Sequence, residues 1–391
     1  MIGSIFTALS GMVGHQRALN VISNNVTNMN SPGFRGSTMN FTDVLGPRTI
    51  VAGGGGNIGS GVDSSQVVRD TRTGERQLTG NEADLALDGA GYFVLQNQDG
   101  ETFYTRNGRF AFNDEGELLS VGQGLRVMAR GADGVLIPVT VADLRSKPPK
   151  ATTEVTLDGF ISSASEQTTL DVSVIDTLGA THTVKLTITR NTNNQPPLPE
   201  GQAAFTVKAA EGDADIGEGT LTFHGAVAIG SPLRLDLELS GTEVATVTFD
   251  YRLSQIVSAG SSSLRVSEQD GRTPGTITAR DFDEKGRLKL TYSNGEKADG
   301  PTLALARIED ESGLLELGAA LYSYRGDKSV TLREAGSDLK VVAKSLELSN
   351  VDLTTEFSQM ILMQRGYQAS SQVVSTANDM LQELLQMRGR G

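Results

Sequence analysis

The chain has 391 residues, with 34 basic and 47 acidic side chains and no cysteine. Because a single hydrophobic core rarely organises more than about 250 residues, we expect two or three domains. The net charge of -13 opposes binding to nucleic acid or anionic lipid, since both require clustered Lys and Arg. The lack of cysteine excludes disulfides, thiol nucleophiles and cysteine-ligated metals. We therefore expect a protein partner.

Neither a membrane span nor a cleaved leader is predicted. No apolar stretch approaches the ~20 residues that a transmembrane helix requires. The first 14 residues are apolar. The first basic residue of the chain, Arg17, follows this stretch instead of preceding it, and no clean small-residue cleavage site comes after it. We expect no membrane insertion and no cleaved signal peptide.

The start of the chain predicts a helix from Gly3 to Asn30, ended by Pro32 and Gly33. Apolar residues recur at heptad spacing within it, as a coiled-coil seam requires. One column comprises Ile5, Met12, Leu19 and Val26, and beside it lie Ile2, Leu9, Ile22 and Met29.

The other end predicts a second helix, from an N-cap at Asp352 to about Met387. Its heptad column comprises Leu353, Met360, Tyr367, Val374 and Leu381, widened by Phe357, Met363, Ala377 and Leu384. An apolar stripe has to be covered, so the two stripes meet either each other, as an antiparallel pair, or neighbouring subunits. Isolated helices are marginally stable in water, and we expect both to need that cover.

The polar faces of these helices favour assembly. They carry uncharged amides where a helix exposed to bulk water usually carries Glu and Lys. The amides are Asn20, Asn24, Asn25, Asn28 and Asn30 in the first helix and Gln359, Gln364, Gln368, Gln372, Gln382 and Gln386 in the second.

Between the helices the sequence predicts short strands and tight turns. The glycine-rich stretch 41–80 is predicted to be a flexible connector, and 191–201 an exposed loop. Residues 151–274 hold 7 basic and 16 acidic side chains, which predicts a segment broadly exposed to solvent.

Three groups of residues resemble the bacterial flagellar rod and hook family. The first comprises Leu9 to Met12, Asn20 to Asn28 with Asn24 and Asn25, and Ser31-Pro32-Gly33-Phe34. The second comprises Leu346 to Leu353 with Asn350, Val351 and Asp352, then Met360, Gln364-Arg365-Gly366-Tyr367 and Gln368. The third comprises Leu85 to Phe93, Tyr104 to Phe110 and Gly116 to Leu119. In addition, Val172 to His182 and Gly275 to Tyr292 are similar to segments of the hook members of the family.

The resemblance implies a mainly β, α+β fold in which the terminal helices pair as a coiled-coil inner domain lining a channel. It implies four segments: helical 1–40 plus 345–391, connector 41–80, shared β domain 81–150 plus 275–344, and inserted outer β domain 151–274. The family's export-gate pattern, an aromatic residue four positions before an aliphatic one, aligns on Ile5 and Leu9, so the aromatic is replaced here and Phe6 lies one place later.

The function implied is that of a subunit that polymerises into the tubular flagellar hook, a universal joint between motor and filament. The implied partners are copies of itself, the rod, hook-cap and hook–filament junction proteins, and the type III export apparatus. The implied location is the extracellular hook. A rod or hook-associated subunit is the alternative, and a secreted β-rich enzyme or adhesin would need a polar constellation that the sequence does not show.

Motifs for chemistry are weak, so we expect no catalytic residue, cofactor or metal. Gly54 to Gly59 matches GxGxxG, but no helix or suitably placed acid follows. Asp281 to Gly286 begins like a calcium loop, but Lys285 occupies a ligand position, and we interpret it as a β-turn. His15, His182 and His224 lie in unrelated segments without a paired carboxylate nearby, so we interpret them as packing or surface residues.

Overall fold

The computed structural model describes residues 2–49, 56–131, 133–191, 199–229, 232–239, 245–257, 260–326, 330–336 and 338–388. These residues divide into two compact units. Unit 1 comprises Met1–Ala142, Arg280–Lys289 and Asp299–Gly391, and unit 2 comprises Asp143–Ala279 and Leu290–Ala298. Unit 2 contains the whole predicted outer segment 151–274, while both ends of the chain, the predicted connector and most of the shared β segment lie in unit 1.

Unit 1 begins with α1 (Ile2–Thr27) and ends with α2 (Leu353–Arg388). Its first strands are β1 (Ser37–Met39), β2 (Thr42–Thr49), β3 (Gly56–Asp63), β4 (Val67–Arg69), β5 (Arg76–Leu78), β6 (Leu85–Gly89), β7 (Tyr92–Gln96), β8 (Thr102–Thr105), β9 (Phe110–Phe112), β10 (Leu118–Ser120), β11 (Arg126–Arg130) and β12 (Leu136–Pro138). A short 3-10 helix, η1 (Ala142–Leu144), follows.

The strands that follow are β13 (Ser146–Lys147), β14 (Glu154–Ser162), β15 (Gln167–Ile175), β16 (Thr181–Arg190), β17 (Gln202–Glu211), β18 (Ala214–His224), β19 (Val227–Ile229), β20 (Leu233–Leu237), β21 (Ala245–Val257) and β22 (Ser263–Gln269). The chain continues with β23 (Gly275–Phe282), β24 (Arg287–Tyr292) and β25 (Lys297–Thr302). It returns through unit 1 as β26 (Leu305–Arg307), η2 (Glu311–Gly313), β27 (Leu314–Gly318), β28 (Leu321–Tyr324), β29 (Thr331–Arg333), β30 (Leu339–Ala343) and β31 (Ser345–Glu347).

The largest sheet of unit 1 has the order β27-β28-β8-β7-β11-β10-β9, with β12 paired to β11 and β26 paired to β7 and β29. Its core includes Tyr92, Tyr322 and Met128, and the rings of Tyr92 and Tyr322 meet edge to face at 5.9 Å. Two small sheets, β30-β6 and β31-β5, join the last strands to early ones. Unit 1 is therefore built from both ends of the chain.

The largest sheet of unit 2 has nine strands, in the order β15-β16-β17-β18-β19-β21-β14-β22, with β20 paired to β21. Its strands alternate inward apolar and outward polar residues, as in β16, where Val184, Leu186 and Ile188 are buried. The inward residues form one core in which Phe205 and Phe223 meet edge to face at 5.6 Å. The predicted class, mainly β with paired terminal helices, is confirmed.

The flexible connector predicted over 41–80 contains paired strands in the part that the structure describes. Thr42 and Asp43 pair with Asp63 and Val62 in the β2-β3 ladder, and β1 pairs with β4. The glycine content of this segment suggested flexibility. However, β3 packs against α1, and the amino-acid composition does not reveal that packing. Most of the GxGxxG match lies in β3, and Gly54 and Gly55 lie outside the described residues.

The turn interpretation of Asp281 to Gly286 agrees with the structure. The carboxylate of Asp283 accepts hydrogen bonds from the backbone N–H groups of Lys285 and Arg287, closing the turn between β23 and β24. No group of His, Asp or Glu side chains in the described residues is arranged to hold a metal ion. Neither helix has the length and apolar composition that crossing a bilayer requires.

His182 does have paired carboxylates, contrary to the expectation from sequence. Its Nδ1 lies 2.7 Å from Oε1 of Glu211 on β17, and its Nε2 lies 3.4 Å from Oδ2 of Asp176. Glu211 is brought close by strand pairing and not by sequence. The hydrogen bond that the ring of His182 donates to Glu211, helped by Asp176 and opposed by partial desolvation, raises the pKa of His182.

This cluster predicts a pH-dependent stability of unit 2. Because the pKa of His182 is higher folded than unfolded, its contribution is complete below about pH 6.5 and is lost as pH rises through the folded value. In urea unfolding of the wild type, the midpoint of the unit 2 transition should therefore fall as pH rises above about 6.5. His182→Gln should flatten that dependence, and an unchanged slope would contradict the assignment.

Candidate functional site: the paired terminal helices

Asp352 begins α2 as the sequence predicts. Its carboxylate accepts hydrogen bonds from the backbone N–H of Thr354 at 3.0 Å and the hydroxyl of Thr355 at 2.6 Å. These two bonds, the hydroxyl one foremost, lower the pKa of Asp352. The carboxylate thus satisfies an N–H group that the first helical turn leaves without an intrahelical partner.

α1 and α2 pack against each other within one chain, antiparallel. Asn25, near the end of α1, donates from Nδ2 to Oε1 of Glu356 at 3.0 Å, near the start of α2. Farther along, Nδ1 of His15 lies 3.4 Å from Sδ of Met363. Of the two arrangements that the apolar stripes left open, the structure shows the intramolecular pair.

Small residues form much of the seam between the helices. Gly11 faces Ser370, since a Cβ added to Gly11 would lie 3.2 Å from the Ser370 hydroxyl. A Cβ added to Gly366 would lie 2.6 Å from the ring of His15, which shows how closely the backbones approach. The buried side chains of the described parts of the two helices are Ala8, Ala18, Ile22, Asn25, Glu356 and Ala377, and we place them in the seam.

The apolar stripes predicted from the sequence include Ile22 in α1 and Met363 and Ala377 in α2, but not Ala8, Gly11 or Ala18. Ile5, Met12, Leu19 and Val26 are half-buried beside the seam, and Leu9 is exposed. In α2, Leu353, Met360, Val374 and Leu381 are half-buried, and Tyr367 and Phe357 are exposed. The missed signal was that small residues share heptad columns with larger ones. Gly11 and Ala18 lie in one column with Asn25, and Ala8 lies in another with His15 and Ile22.

Glu356 is a buried carboxylate in this seam. Burial raises its pKa, although the hydrogen bond from Asn25 acts in the opposite direction. Its second oxygen, Oε2, has no hydrogen-bond partner among the described residues. A charged group held in this position opposes the pairing of the helices at neutral pH.

Replacing Glu356 with Gln is therefore expected to stabilise the helix pair at pH 7. The amide oxygen keeps the bond from Asn25, and the buried charge is removed. The pKa of Glu356 is raised in the folded protein, so the wild-type carboxyl becomes protonated there as pH falls towards about 4.5. The extra stability of Glu356→Gln over the wild type should shrink over the same range. Urea unfolding at pH 7 and pH 4.5 measures this, with Glu356→Ala as the control that loses the Asn25 bond. An equal effect at both pH values would contradict the account.

The family-motif residues mostly lie where the helices join the β strands. Oδ1 of Asn25 accepts from the N–H of Ser37 at 3.0 Å, and its Nδ2 donates to the Ser37 carbonyl at 2.8 Å. Oδ1 of Asn350 accepts from the N–H of Gly36 at 2.8 Å, while its Nδ2 donates to the carbonyls of Asp70 and Arg72. We call this set, Asn25, Gly33 to Ser37 and Asn350 to Asp352, the helix joint.

Gly33 requires its glycine at the joint. Its φ is +70°, and an added Cβ would lie 2.5 Å from the backbone nitrogen of Asn107. Its N–H donates to the carbonyl of Glu347 at 2.8 Å, and Phe34 beside it is buried. Within the joint, Val351 lies against Gly36. Of the other motif residues, Asn28 bonds to Asn24 in the turn after α1, Pro32 is half-buried, and Gln364 and Arg365 are exposed.

Both helices present apolar side chains to solvent away from the seam. On α1 these are Phe6, Leu9 and Val13, which with Val62 and Arg17 line a groove of about 320 Å³. On α2 they are Phe357, Ile361, Leu362, Val373, Met380, Leu384, Leu385 and Met387. A second groove, of about 500 Å³, runs between Ser4 of α1 and the Ala369 to Met380 stretch of α2. Exposed apolar side chains clustered on a helix face are typical of protein interaction sites.

Three family models match the chain, at both ends and in the middle. They are described as flagella basal body rod protein for residues 5–35, flagellar hook protein FlgE/F/G D1 domain for 86–162, and flagellar basal body rod FlgEFG protein C-terminal for 342–387. These matches support the resemblance to the flagellar rod and hook protein family that the sequence motifs indicate.

Similar curated proteins align with nearly the whole chain. The flagellar hook protein FlgE of Treponema pallidum is 27% identical, covering 99% of this chain and 100% of its own. The FlgE proteins of Salmonella typhimurium and Escherichia coli are 25% and 26% identical, covering 98% and 97% of this chain and 100% and 99% of their own. The solved structure of Helicobacter pylori flagellar hook protein FlgE2 covers 69% of this chain and 100% of its own, at 13% identity and a TM-score of 0.46.

Proposed function

We propose that the chain is the structural subunit that self-assembles into the tubular flagellar hook, the flexible joint between the motor with its rod and the filament. The observation that carries this is the full-length similarity to proteins named flagellar hook protein, combined with a terminal helix pair that leaves apolar faces exposed. A polymer covers such faces, and a free monomer does not.

Another axial protein of the flagellum, such as a distal rod or hook-associated subunit, is the second candidate. The two family models named for rod proteins favour it, but they match only 5–35 and 342–387. The relatives that span unit 2 as well are named hook proteins. The full-length match therefore favours the hook.

The assembly surface that we propose comprises the outward apolar residues of α1 and α2, with a second copy of the chain as occupant. A contact between different faces of identical subunits can repeat from one copy to the next, and it builds a helical polymer when the repeat does not close into a ring. The α1 groove and the α2 face are different surfaces, as such a heterologous contact requires. The residues predicted from sequence, from Ile5 to Val26 and from Leu353 to Leu381, contribute to it where they are exposed, as Leu9, Phe357 and Tyr367 are.

The remaining parts of the proposal concern role and location. The role is structural and not enzymatic, and no cofactor takes part. The further partners are the rod, hook-cap and hook–filament junction proteins and the type III export apparatus. The subunit works in the extracellular hook after export without a cleaved signal peptide.

The test compares two exposed leucines. Leu362 on α2 is 61% exposed and Leu178 in unit 2 is 76% exposed. Leu362→Asp should leave monomer unfolding within about 0.5 kcal/mol of the wild type, because no buried contact is lost. It should also raise the concentration needed for polymer formation at least about 10-fold, because ~1.4 kcal/mol or more is lost at each subunit contact. Sedimentation of polymer measures this.

Leu178→Asp is the matched control, since it adds the same charge at an exposed leucine away from the helices. It should polymerise more readily than Leu362→Asp. Equal polymerisation of Leu362→Asp and the wild type would contradict the proposed surface.

A further inference from the structure

Arg106, which follows β8 in unit 1, is the largest fully buried side chain in the described part of the chain. Its Nη1 lies 3.0 Å from Oε2 of Glu347, and the exposed fractions of these two side chains are 0% and 2%. Burying a charge is costly unless an opposite charge and hydrogen bonds compensate it. The stability of this region therefore depends on how the Arg106 charge is compensated.

Glu347 supplies the only carboxylate within ion-pair distance of Arg106 among the described residues. The other contacts of the guanidinium are the carbonyls of Leu87 and Gly89 on β6 and, at 5.7 Å, the ring of Tyr92. Arg35 adds a like charge nearby, and desolvation lowers the pKa of Arg106. Because an arginine does not lose its proton in proteins, it cannot escape this cost by neutralising itself.

Glu347 reaches this position from the far end of the chain. It lies 241 residues after Arg106, at the end of β31. Oε1 of Glu347 accepts from the N–H of Gly74 at 3.1 Å, and its carbonyl accepts from the N–H of Gly33. One residue thus joins three early segments of unit 1 to the last strand before α2.

The strands around Glu347 also pair only with the help of residues from the end of the chain. β31 pairs with β5, and β30 pairs with β6 along five residue pairs from Leu339 to Ala343. β6 is the strand whose carbonyls hold Arg106. Before residues 339–347 are in place, β6 lacks its partner strand and Arg106 lacks its counter-charge.

We propose that the Arg106–Glu347 pair is a closing contact that makes folding of the β part of unit 1 conditional on segment 339–347. While this segment is not in place, the β part of unit 1 does not fold, because the charge of Arg106 is uncompensated. The end of α1 and the start of α2 are therefore held together only after segment 339–347 has been added. The device acts in the monomer and does not rest on the proposed hook function.

The test uses hydrogen exchange of the full chain and three variants. Glu347→Gln keeps the shape of the side chain but leaves the buried charge of Arg106 without a counter-charge. The hydrogen-exchange rates of the amides in β6 and β7 should therefore rise on the order of 100-fold. Adding Arg106→Met to Glu347→Gln removes the stranded charge and should restore protection at least 10-fold. Exchange in β14 of unit 2 should stay unchanged. In the wild type, 339–347 and β6 should open together, with one common exchange rate.

Glu284→Gln is the control, because Glu284 is 76% exposed in its ion pair with Lys340 and its loss should change exchange less than 3-fold. The proposal is overturned if Glu347→Gln also stays within 3-fold of the wild type. It is equally overturned if the double variant is no better protected than Glu347→Gln, since lost hydrogen bonds and not a stranded charge would then explain the effect. Fast exchange of 339–347 with β6 still protected would contradict the conditional step itself.

Discussion

Replacing Ala377 with Asp is expected to separate α1 from α2 while unit 2 stays folded. Ala377 is 2% exposed in the helix seam. A carboxylate placed there loses its hydration and finds no positively charged seam residue among those described, so the cost should be about 3 kcal/mol or more. Once separated, each helix is an isolated segment of marginal stability, and much of its helicity should be lost.

Circular dichroism and limited proteolysis of the monomer measure this effect. The helical signal should fall, and residues 2–27 and 353–388 should become the first sites of cleavage. Leu362→Asp is the control, because it adds the same charge to the exposed face of α2. If Ala377→Asp leaves the monomer unchanged, the helices are not paired in the free chain, and their stripes are covered only by neighbouring subunits.

Replacing Phe249 with Ala is expected to destabilise unit 2 by about 3–5 kcal/mol, since Phe249 is fully buried in its core and its loss leaves a cavity. The unit 2 transition in urea should shift, while the protection of α1 and α2 from protease stays at the wild-type level. Leu178→Ala is the control on the surface of the same unit and should change stability by less than about 0.5 kcal/mol. A shift of both units together would show that they do not unfold independently.

The sequence predicts the helices well because their determinants are local. The Asp352 cap and the heptad column place α2 from 352 to about 387, and the structure has Leu353–Arg388. The first helix was predicted to Asn30 and ends at Thr27, followed by a turn in which Asn28 bonds back to Asn24. Fold class follows from the same signals, since turn residues and alternation between the helices predict strands.

What the sequence does not reveal depends on contacts between distant residues. The small seam residues Ala8, Gly11 and Ala18 carry little hydrophobic signal, and their role appears only when a second helix lies against them. Arg106 and Glu347 are 241 residues apart, and neither has a local pattern that predicts burial. His182 acquires Glu211 through strand pairing. The boundaries of the four predicted segments stay predictions.

Electron microscopy of polymer grown from the purified full-length chain tests the central claim most directly. A hook subunit should form short, hollow, curved tubes. Leu362→Asp should form few or none under the same conditions. A straight tube would instead identify a rod subunit, and a chain that stays monomeric at every concentration would contradict the account of a self-assembling structural protein.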